Sequence, residues 1–336
     1  MPHSLKPIAE QVVVITGASS GIGLATAYRA ADQGARVVLA ARNEDALRDA
    51  VQRIRGRGGR AIHVVADVAR PEDLEAVAQA AIREFGGFDT WVNNAGQTIF
   101  GRIETVSDAD NRRLFDVNFW GLVNGSRVAA AHLKHKGGAI INLGSVASDV
   151  AFPVQGMYAA SKHAIKGFTD AFRMELEEDG APISVTLIKP ASINTPIAGH
   201  AKSYLSQEPK LPPPVYAPED VADAIVHAAA HGGRDYYIGG GGKVISALNA
   251  HLPSLVDWVG SRVISGQSVR DRPSAAGRTD SLFATGRGGA MVHGDSPHHV
   301  MRSAYTKATL HPLAGLALLA VASVATAVLA GGRPRS

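Results

Sequence analysis

The junction between a short apolar run and a glycine-rich turn constrains the fold of this chain more than any other feature. Residues 11–16 (QVVVIT) are mostly β-branched, as is typical of a buried parallel strand. The turn 17–23 (GASSGIG) follows at once, and a helical pattern begins at Leu24. Glycines let the backbone approach phosphates, and a helix N-terminus offers free N–H groups and a positive dipole end. The junction therefore predicts a phosphate cradle, with an ordinary tight turn as the alternative.

Further apolar runs alternate with helical patterns along the chain. They predict strands at 36–40, 61–65, 90–92, 139–143, 183–189 and 236–238. Strands and helices at this spacing form βαβ units, so we expect an α/β fold: a Rossmann-like, doubly wound parallel sheet of about seven strands with helices on both faces. Ligands of such sheets bind beyond the carboxyl ends of the strands.

The end of the second predicted strand bears on the choice of dinucleotide. An acid at this place binds the ribose 2′-hydroxyl of NAD, whereas a nearby arginine suits the 2′-phosphate of NADP. Ala41 stands where the acid is expected, and Arg42 follows it. The sequence therefore favours NADP(H) over NAD(H), with a plain surface cation as the alternative interpretation of Arg42.

Tyr158 and Lys162 stand four residues apart in a helical pattern and so share one helix face. A free phenol has a pKa of ~10, and lowering it by ~3 units requires ~4 kcal/mol of differential stabilisation. A neighbouring ammonium can supply part of this. On its own, the pair would be an ordinary aromatic and a solvated charge on an amphipathic helix.

An ordered set of motifs elsewhere in the chain favours a functional interpretation of Tyr158 and Lys162. The motifs are TGASSGIG at 16–23, Asp67, NNAG at 93–96, Asn118, Ser145, YAASK at 158–162 and PASINTP at 190–196. In this order and spacing, the chain resembles the short-chain dehydrogenase/reductase family over residues 8–245. One departure is Ala191, where the family usually has glycine.

The resemblance implies catalytic roles for four residues. Tyr158 would be the acid/base toward a carbonyl or alcohol oxygen. Lys162 would lower the pKa of Tyr158 and bind the nicotinamide ribose, and Ser145 would hold the carbonyl. Asn118 would anchor a water that relays protons through Lys162. The alternative is a catalytically silent NADP(H)-binding sensor or scaffold that keeps the fold.

The resemblance also implies a cofactor site, without a metal. Its residues would be Gly17, Ser19, Ser20, Gly21, Ile22, Gly23, Arg42, Asp67, Val68, Asn94, Tyr158, Lys162 and Thr195. The family usually forms dimers or tetramers, so a homodimer or homotetramer is expected.

The loop at 197–216 corresponds to the family's substrate lid. Apolar residues in this loop and before Tyr158 indicate a mostly apolar pocket and a hydrophobic small-molecule substrate. They are Phe152, Val154, Met157, Ile197, Tyr204, Leu205 and Leu211.

Composition narrows the classes of function. The chain has no cysteine, which excludes disulfides and thiol chemistry. Its formal charge is +4, but residues 266–336 hold eight Lys or Arg against three Asp or Glu, so the rest is close to neutral. This pattern argues against a nucleic-acid-binding domain. The N-terminus has no apolar signal region, so a cytoplasmic catalytic domain is expected.

Four segments are predicted along the chain. Residues 1–250 form the catalytic domain, 251–265 an amphipathic helix that packs on the domain, another subunit or a membrane surface, and 266–306 a flexible basic linker. Residues 307–336 contain an uncharged run from Leu313 to Ala330. As a helix this run would be ~27 Å long, slightly shorter than a ~30 Å hydrocarbon core. We expect a C-terminal membrane anchor, with a buried or associating helix as the alternative.

Overall fold

The apolar run before the glycine-rich turn becomes the strand at the centre of the molecule. The computed structural model describes residues 4–264, 269–274, 280–285 and 289–311. Its strands are β1 (Val12–Thr16), β2 (Arg36–Ala41), β3 (Arg60–Val65), β4 (Thr90–Asn93), β5 (Ile99–Phe100), β6 (Gly138–Leu143), β7 (Ile183–Pro190), β8 (Ser192–Ile193), β9 (Lys202–Ser203), β10 (Gln207–Pro209), β11 (Val215–Tyr216), β12 (Asp235–Ile238), β13 (Val269–Pro273) and β14 (Val300–Met301).

The α-helices follow the strands in alternation through most of the chain. They are α1 (Gly21–Asp32), α2 (Glu44–Gly56), α3 (Pro71–Phe85), α4 (Asp108–Phe115), α5 (Gly121–Leu133), α6 (Gly156–Glu178), α7 (Ile197–His200), α8 (Pro218–His231), α9 (Gly240–His251), α10 (Pro253–Val259) and α11 (Ala304–Leu310). A π-helical turn, Asp116–Trp120, joins α4 to α5.

Seven strands form one parallel sheet in the order β12-β7-β6-β4-β1-β2-β3. All five residues of β1 are buried, and successive residues face opposite sides of the sheet. Ile15 packs in one apolar cluster with Leu24 and Val221, whereas Val14 packs in another with Leu74. Both faces are therefore covered, and the predicted doubly wound α/β fold is confirmed.

The C-terminal region differs from the flexible linker expected at 266–306. β13 pairs with β10, β14 pairs with β11, and Leu310 on α11 is buried in the main core. Backbone hydrogen bonds hold these segments, and such bonds leave no apolar periodicity in the sequence. The folded domain therefore continues past residue 250.

The two other C-terminal segments are only partly described. Residues 251–264 contain α10 and a π-helical turn, Gly260–Ile264, and Leu252, Leu255 and Trp258 are each about half exposed. The run from Leu313 to Ala330 lies outside the described residues. Within the described ranges, no helix is both long and apolar enough to cross a bilayer.

Candidate active site

A cavity of about 410 Å³ lies at the carboxyl edge of the central sheet. Its wall contains Ser145 and most predicted cofactor positions. These are Gly17, Ser19, Ser20, Gly21, Ile22, Arg42, Asp67, Val68, Asn94, Tyr158, Lys162 and Thr195. Gly23 and Asn118 do not line the cavity themselves, but both contact residues that do.

The glycine-rich turn needs glycine at both ends for steric reasons. Gly17 has a φ of +66°, a left-handed conformation that side chains disfavour. A Cβ at Gly23 would lie 2.3 Å from the carbonyl oxygen of Gly17 and 2.5 Å from Asn94 Nδ2. The turn therefore closes tightly on the loop after β4.

Hydrogen bonds from Asn94 hold this turn in place. Its Nδ2 donates to the carbonyl oxygens of Thr16, at 2.9 Å, and Gly17, at 3.2 Å. Its backbone N–H donates to Thr16 Oγ1, at 3.0 Å. Asn94 is thus fixed by the end of β1 as well as lining the cavity.

Tyr158, on the first turn of α6, lies beside Ser145 on the cavity wall. Burial raises the pKa of the phenol, and the nearby Ser145 hydroxyl opposes this rise only in part. The Ser145 hydroxyl also accepts from the backbone N–H of Ala147 at 3.1 Å. The two side chains predicted to bind and protonate a substrate oxygen are therefore neighbours.

Lys162 lies one helical turn after Tyr158 and is 6% exposed. Its Nζ donates to the carbonyl oxygen of Leu143 at 2.8 Å and lies 5.8 Å from the centre of the Tyr158 ring. Burial lowers the pKa of Lys162 to about 8. The Lys162 ammonium is therefore bonded to the end of β6, and burial is the dominant influence on the pKa of Tyr158.

Asn118 sits in the π-helical turn and is buried. Its Oδ1 accepts from the backbone N–H of Gln97 at 2.7 Å, and its Nδ2 donates to the Gln97 carbonyl and to Ser161 Oγ. Ser161 Oγ in turn donates to the Tyr158 carbonyl oxygen at 2.7 Å. Asn118 therefore ties the loop after β4 to the helix that carries Tyr158.

A charged cluster lies near the ends of β2 and β3. Arg113 Nη2 donates to Asp67 Oδ2 at 2.5 Å. Burial opposes ionisation of Asp67, but the hydrogen bonds from Arg113 and from the Ala69 N–H lower its pKa overall. Burial lowers the pKa of Arg42, as does the charge of Arg113, while Asp67 opposes the change.

Arg42 also contacts the C-terminal region. Its guanidinium donates to the backbone carbonyl oxygens of Ser281, Leu282 and Phe283. These three residues lie in the segment 280–285. Together with the segment 289–296, it forms what we call the C-terminal strap. The predicted phosphate-binding arginine is therefore already engaged by main-chain acceptors.

The substrate side of the cavity is mainly apolar. Of the predicted pocket residues, Phe152, Ile197 and Leu211 line the cavity, as do Pro212, Pro213 and Pro214. Val154, Met157, Tyr204 and Leu205 lie outside it. Tyr204 instead donates from its hydroxyl to Asp110 at 2.6 Å, so it braces the lid.

The model of the short chain dehydrogenase family matches residues 11–205. The chain belongs to the short-chain dehydrogenase/reductase family. It is accordingly an oxidoreductase that acts on an alcohol or carbonyl group. Among the described residues, no cluster of three His, Cys, Asp or Glu side chains could hold a metal ion.

Two relatives carry similar sequences. The oxidoreductase YxnA of Bacillus subtilis is 45% identical over 319 residues, covering 94% of this chain and 90% of the relative. That match therefore includes much of the C-terminal region. An 11-beta-hydroxysteroid dehydrogenase A of Sesamum indicum is 36% identical over 264 residues, covering 75% of each chain.

Solved structures of family members have the same fold. An alcohol dehydrogenase of Thermococcus sibiricus, complexed with 5-hydroxy-NADP, has a TM-score of 0.59 at 26% identity. It covers 68% of this chain and 94% of its own. A short chain dehydrogenase/reductase of Burkholderia phymatum in complex with NAD has a TM-score of 0.63 at 26% identity. The match covers 82% of this chain and 100% of the other.

Some residues of the site were not predicted from the sequence. Arg113 and Gln97 contact predicted site residues, and Ser281, Thr285, Gly289 and Met291 of the strap line the cavity. The family match ends at residue 205, so its motifs give no signal for the strap. The position of Arg113 on α4, opposite Asp67, matches no recognisable sequence pattern either.

Proposed function

We propose that this chain is an NADP(H)-dependent oxidoreductase that interconverts a hydrophobic carbonyl compound and its alcohol. The observation that carries the proposal is the placement of Ser145, Tyr158 and Lys162 on the wall of one cavity. The glycine-rich turn lines the same cavity, so a dinucleotide held there would lie beside the proton-donating group.

The form of the glycine-rich turn supports binding of dinucleotide phosphates at this end of the cavity. The absence of side chains at Gly17 and Gly23 leaves the turn tight enough to present backbone N–H groups at the start of α1. Gly17, Ser19, Ser20, Gly21 and Ile22 would hold the phosphates, which would displace the Met291 carbonyl oxygen from the Gly21 N–H. Lys162 would bind the nicotinamide ribose. When bound, the nicotinamide supplies or accepts the hydride.

The chain's own residues manage the proton. Ser145 would bind the substrate oxygen, and Tyr158 would donate its proton to that oxygen during reduction. A raised phenol pKa keeps Tyr158 protonated, as a donor requires, until the oxygen accepts negative charge. Lys162 beside it would stabilise the phenolate, and a water held at Asn118 would return the proton.

The proposed preference for NADP(H) rests on charge. Arg42 follows Ala41 at the end of β2, and Arg113 is close enough to depress its pKa. Asp67 pairs with Arg113 and balances one of the two positive charges, and the remaining positive charge suits a 2′-phosphate better than a neutral 2′-hydroxyl. Two family members with similar structures were solved with an NADP analogue and with NAD, respectively, so the family accommodates both.

A substrate screen tests this proposal. The full chain is assayed with NADPH and NADH against apolar ketones and aldehydes, including steroid ketones because one relative is named a hydroxysteroid dehydrogenase. We expect NADPH-dependent reduction of at least one bulky apolar carbonyl compound. Tight NADPH binding without turnover across the panel would favour a sensor or scaffold.

We also infer two features from the sequence: a homodimer or homotetramer, and attachment to the cytoplasmic face of a membrane through Leu313 to Ala330. Analytical ultracentrifugation tests the first. Cell fractionation with and without residues 312–336 tests the second, and a soluble full-length chain would contradict it.

A further inference from the structure

The C-terminal strap is bonded to loops on two sides of the cavity. On one side, Arg42 donates to three successive strap carbonyls, and Arg113 Nε donates to the Leu282 carbonyl at 3.1 Å. Gln97 Nε2 donates to the Ser281 carbonyl at 3.1 Å. The first strap segment is therefore held by the ends of β2 and β4 and by α4.

A buried side chain reinforces this attachment. Leu282 is 1% exposed and packs with Ile99 and Leu114, beside the partly buried Met157 and Tyr158. The adjacent Phe283 side chain is 58% exposed. Leu282 thus anchors the strap in an apolar cluster that also contacts the helix carrying the catalytic tyrosine.

The second strap segment is held on the opposite side. The backbone N–H of Gly21, in the glycine-rich turn, donates to the Met291 carbonyl at 2.8 Å. The N–H of Gly294 donates to the Asn194 carbonyl at 3.2 Å. A Cβ at Gly294 would lie 2.4 Å from the carbonyl oxygen of Thr195, so the strap approaches the loop after β8 very closely.

Between these attachments, the strap faces the cavity. Ser281, Thr285, Gly289 and Met291 line the same space as the glycine-rich turn and Tyr158. The strap leaves a cavity of about 410 Å³ beneath it and does not fill it. The strap therefore borders the cavity on one side. Its carbonyl oxygens accept from Gly21 and Arg42, so phosphates that bind there must replace these two sets of bonds. The packing of Leu282 and the backbone hydrogen bond of Gly294 involve no group assigned to the cofactor and can persist when it is bound.

We propose that the C-terminal strap is the outer wall of the dinucleotide site: it encloses the bound cofactor and must detach before the cofactor can enter or leave. This inference rests on the cofactor assigned under the proposed function. A ligand enclosed by a closing segment leaves at a rate set by opening of that segment. The strap therefore controls the rate of cofactor exchange, and it lies outside the region matched by the family model.

The test uses two strap variants in the full chain. Gly294→Ala introduces the clash with Thr195, and Leu282→Ser removes the apolar anchor. The matched controls are Gly260→Ala, where a Cβ meets nothing within 4 Å, and Leu255→Ser, an apolar residue that is 49% exposed. Circular dichroism and thermal unfolding verify that each variant is folded, and Gly294→Ala alone suffices if Leu282→Ser does not fold.

The measurement is the dissociation rate of NADPH, followed by its fluorescence after rapid mixing with excess NADP⁺. We expect each strap variant to release NADPH about tenfold faster or more, and each control to stay within about twofold of the parent chain. Saturating NADPH should also slow proteolysis within 280–296 by about fivefold.

Three results would overturn the inference. Unchanged dissociation in both strap variants would mean that the strap encloses nothing. Tighter NADPH binding in these variants would mean that the strap competes with the cofactor. Absence of dinucleotide binding in every variant would remove the cofactor assignment together with the wall. The strap test needs only NADPH binding. If the chain binds NADPH but reduces no carbonyl compound, the proposed reaction fails while the strap proposal can still be tested.

Discussion

Lys162 Nζ donates a 2.8 Å hydrogen bond to the carbonyl oxygen of Leu143, the last residue of β6. Ser145 follows two residues later on the same chain segment. The end of one buried strand therefore fixes the ammonium and positions the hydroxyl, while α6 carries both the phenol and the ammonium. The relative positions of these side chains depend on the packing of α6 against the sheet.

This buried ammonium predicts a pH-dependent effect on stability. The pKa of Lys162 falls from 10.5 to about 8 on folding, so between these values the unfolded chain binds more protons. Burial of the charged ammonium therefore lowers the free energy of unfolding by ~3 kcal/mol below pH 8, and this loss disappears as the pH rises through 10.5. In Lys162→Met, the lost hydrogen bond to Leu143 removes ~1 kcal/mol of the stability that is regained. Lys162→Met should therefore raise the free energy of unfolding at pH 7 by about 2 kcal/mol.

Urea unfolding at pH 7 and pH 10.5 measures this effect. Lys134→Met, at a side chain that is 44% exposed, is the control and should change stability little at either pH. A Lys162→Met variant that is less stable than the parent chain at pH 7 would contradict the predicted burial penalty.

Gly23→Ala should damage the cofactor site. Its Cβ would approach the Gly17 carbonyl and Asn94 Nδ2 within 2.5 Å, so the turn must open. We expect the Kd for NADPH to rise by about tenfold or more, equivalent to ~1.4 kcal/mol. Gly56→Ala, where the added Cβ meets nothing within 4 Å, should leave the Kd unchanged in the same titration. Equal affinities for the two variants would show that this turn does not bind the cofactor.

Arg42→Ala should reduce discrimination between the two dinucleotides. Removing this guanidinium leaves the 2′-phosphate with less positive charge, so the ratio of the NADH Kd to the NADPH Kd should fall by about tenfold. The ratio also separates this effect from any loosening of the strap, which would affect both dinucleotides. Arg48→Ala, at an exposed arginine on α2, is the control. An unchanged ratio would argue against 2′-phosphate recognition by Arg42.

The sequence was sufficient to predict the central sheet because its strands are buried. Apolar runs such as 36–40 and 139–143 stand out between helical patterns, and each lies in an observed strand of the sheet. Ser145, Tyr158 and Lys162 line the same cavity, as expected. Each belongs to a recognisable motif, and these motifs lie at the edge of the sheet or on α6.

The strap and the charged cluster could not be predicted in this way. Arg42 and Leu282 are 240 residues apart, and their bond uses a main-chain carbonyl that any residue could supply. The π-helical turn that positions Asn118 could not be predicted either, because one extra residue per turn leaves the local helical pattern almost unchanged. Long-range backbone contacts of this kind require the folded structure.

The most direct measurement compares Tyr158→Phe with the parent chain in two assays: NADPH-dependent carbonyl reduction and NADPH binding. Removing the hydroxyl deletes the proton donor and leaves the ring in place. We predict that the reduction rate falls by about 10³-fold, while the Kd for NADPH stays within about threefold of the parent value. Retention of the parent rate by Tyr158→Phe would contradict the assignment of this cavity as a Tyr158-dependent reductase site.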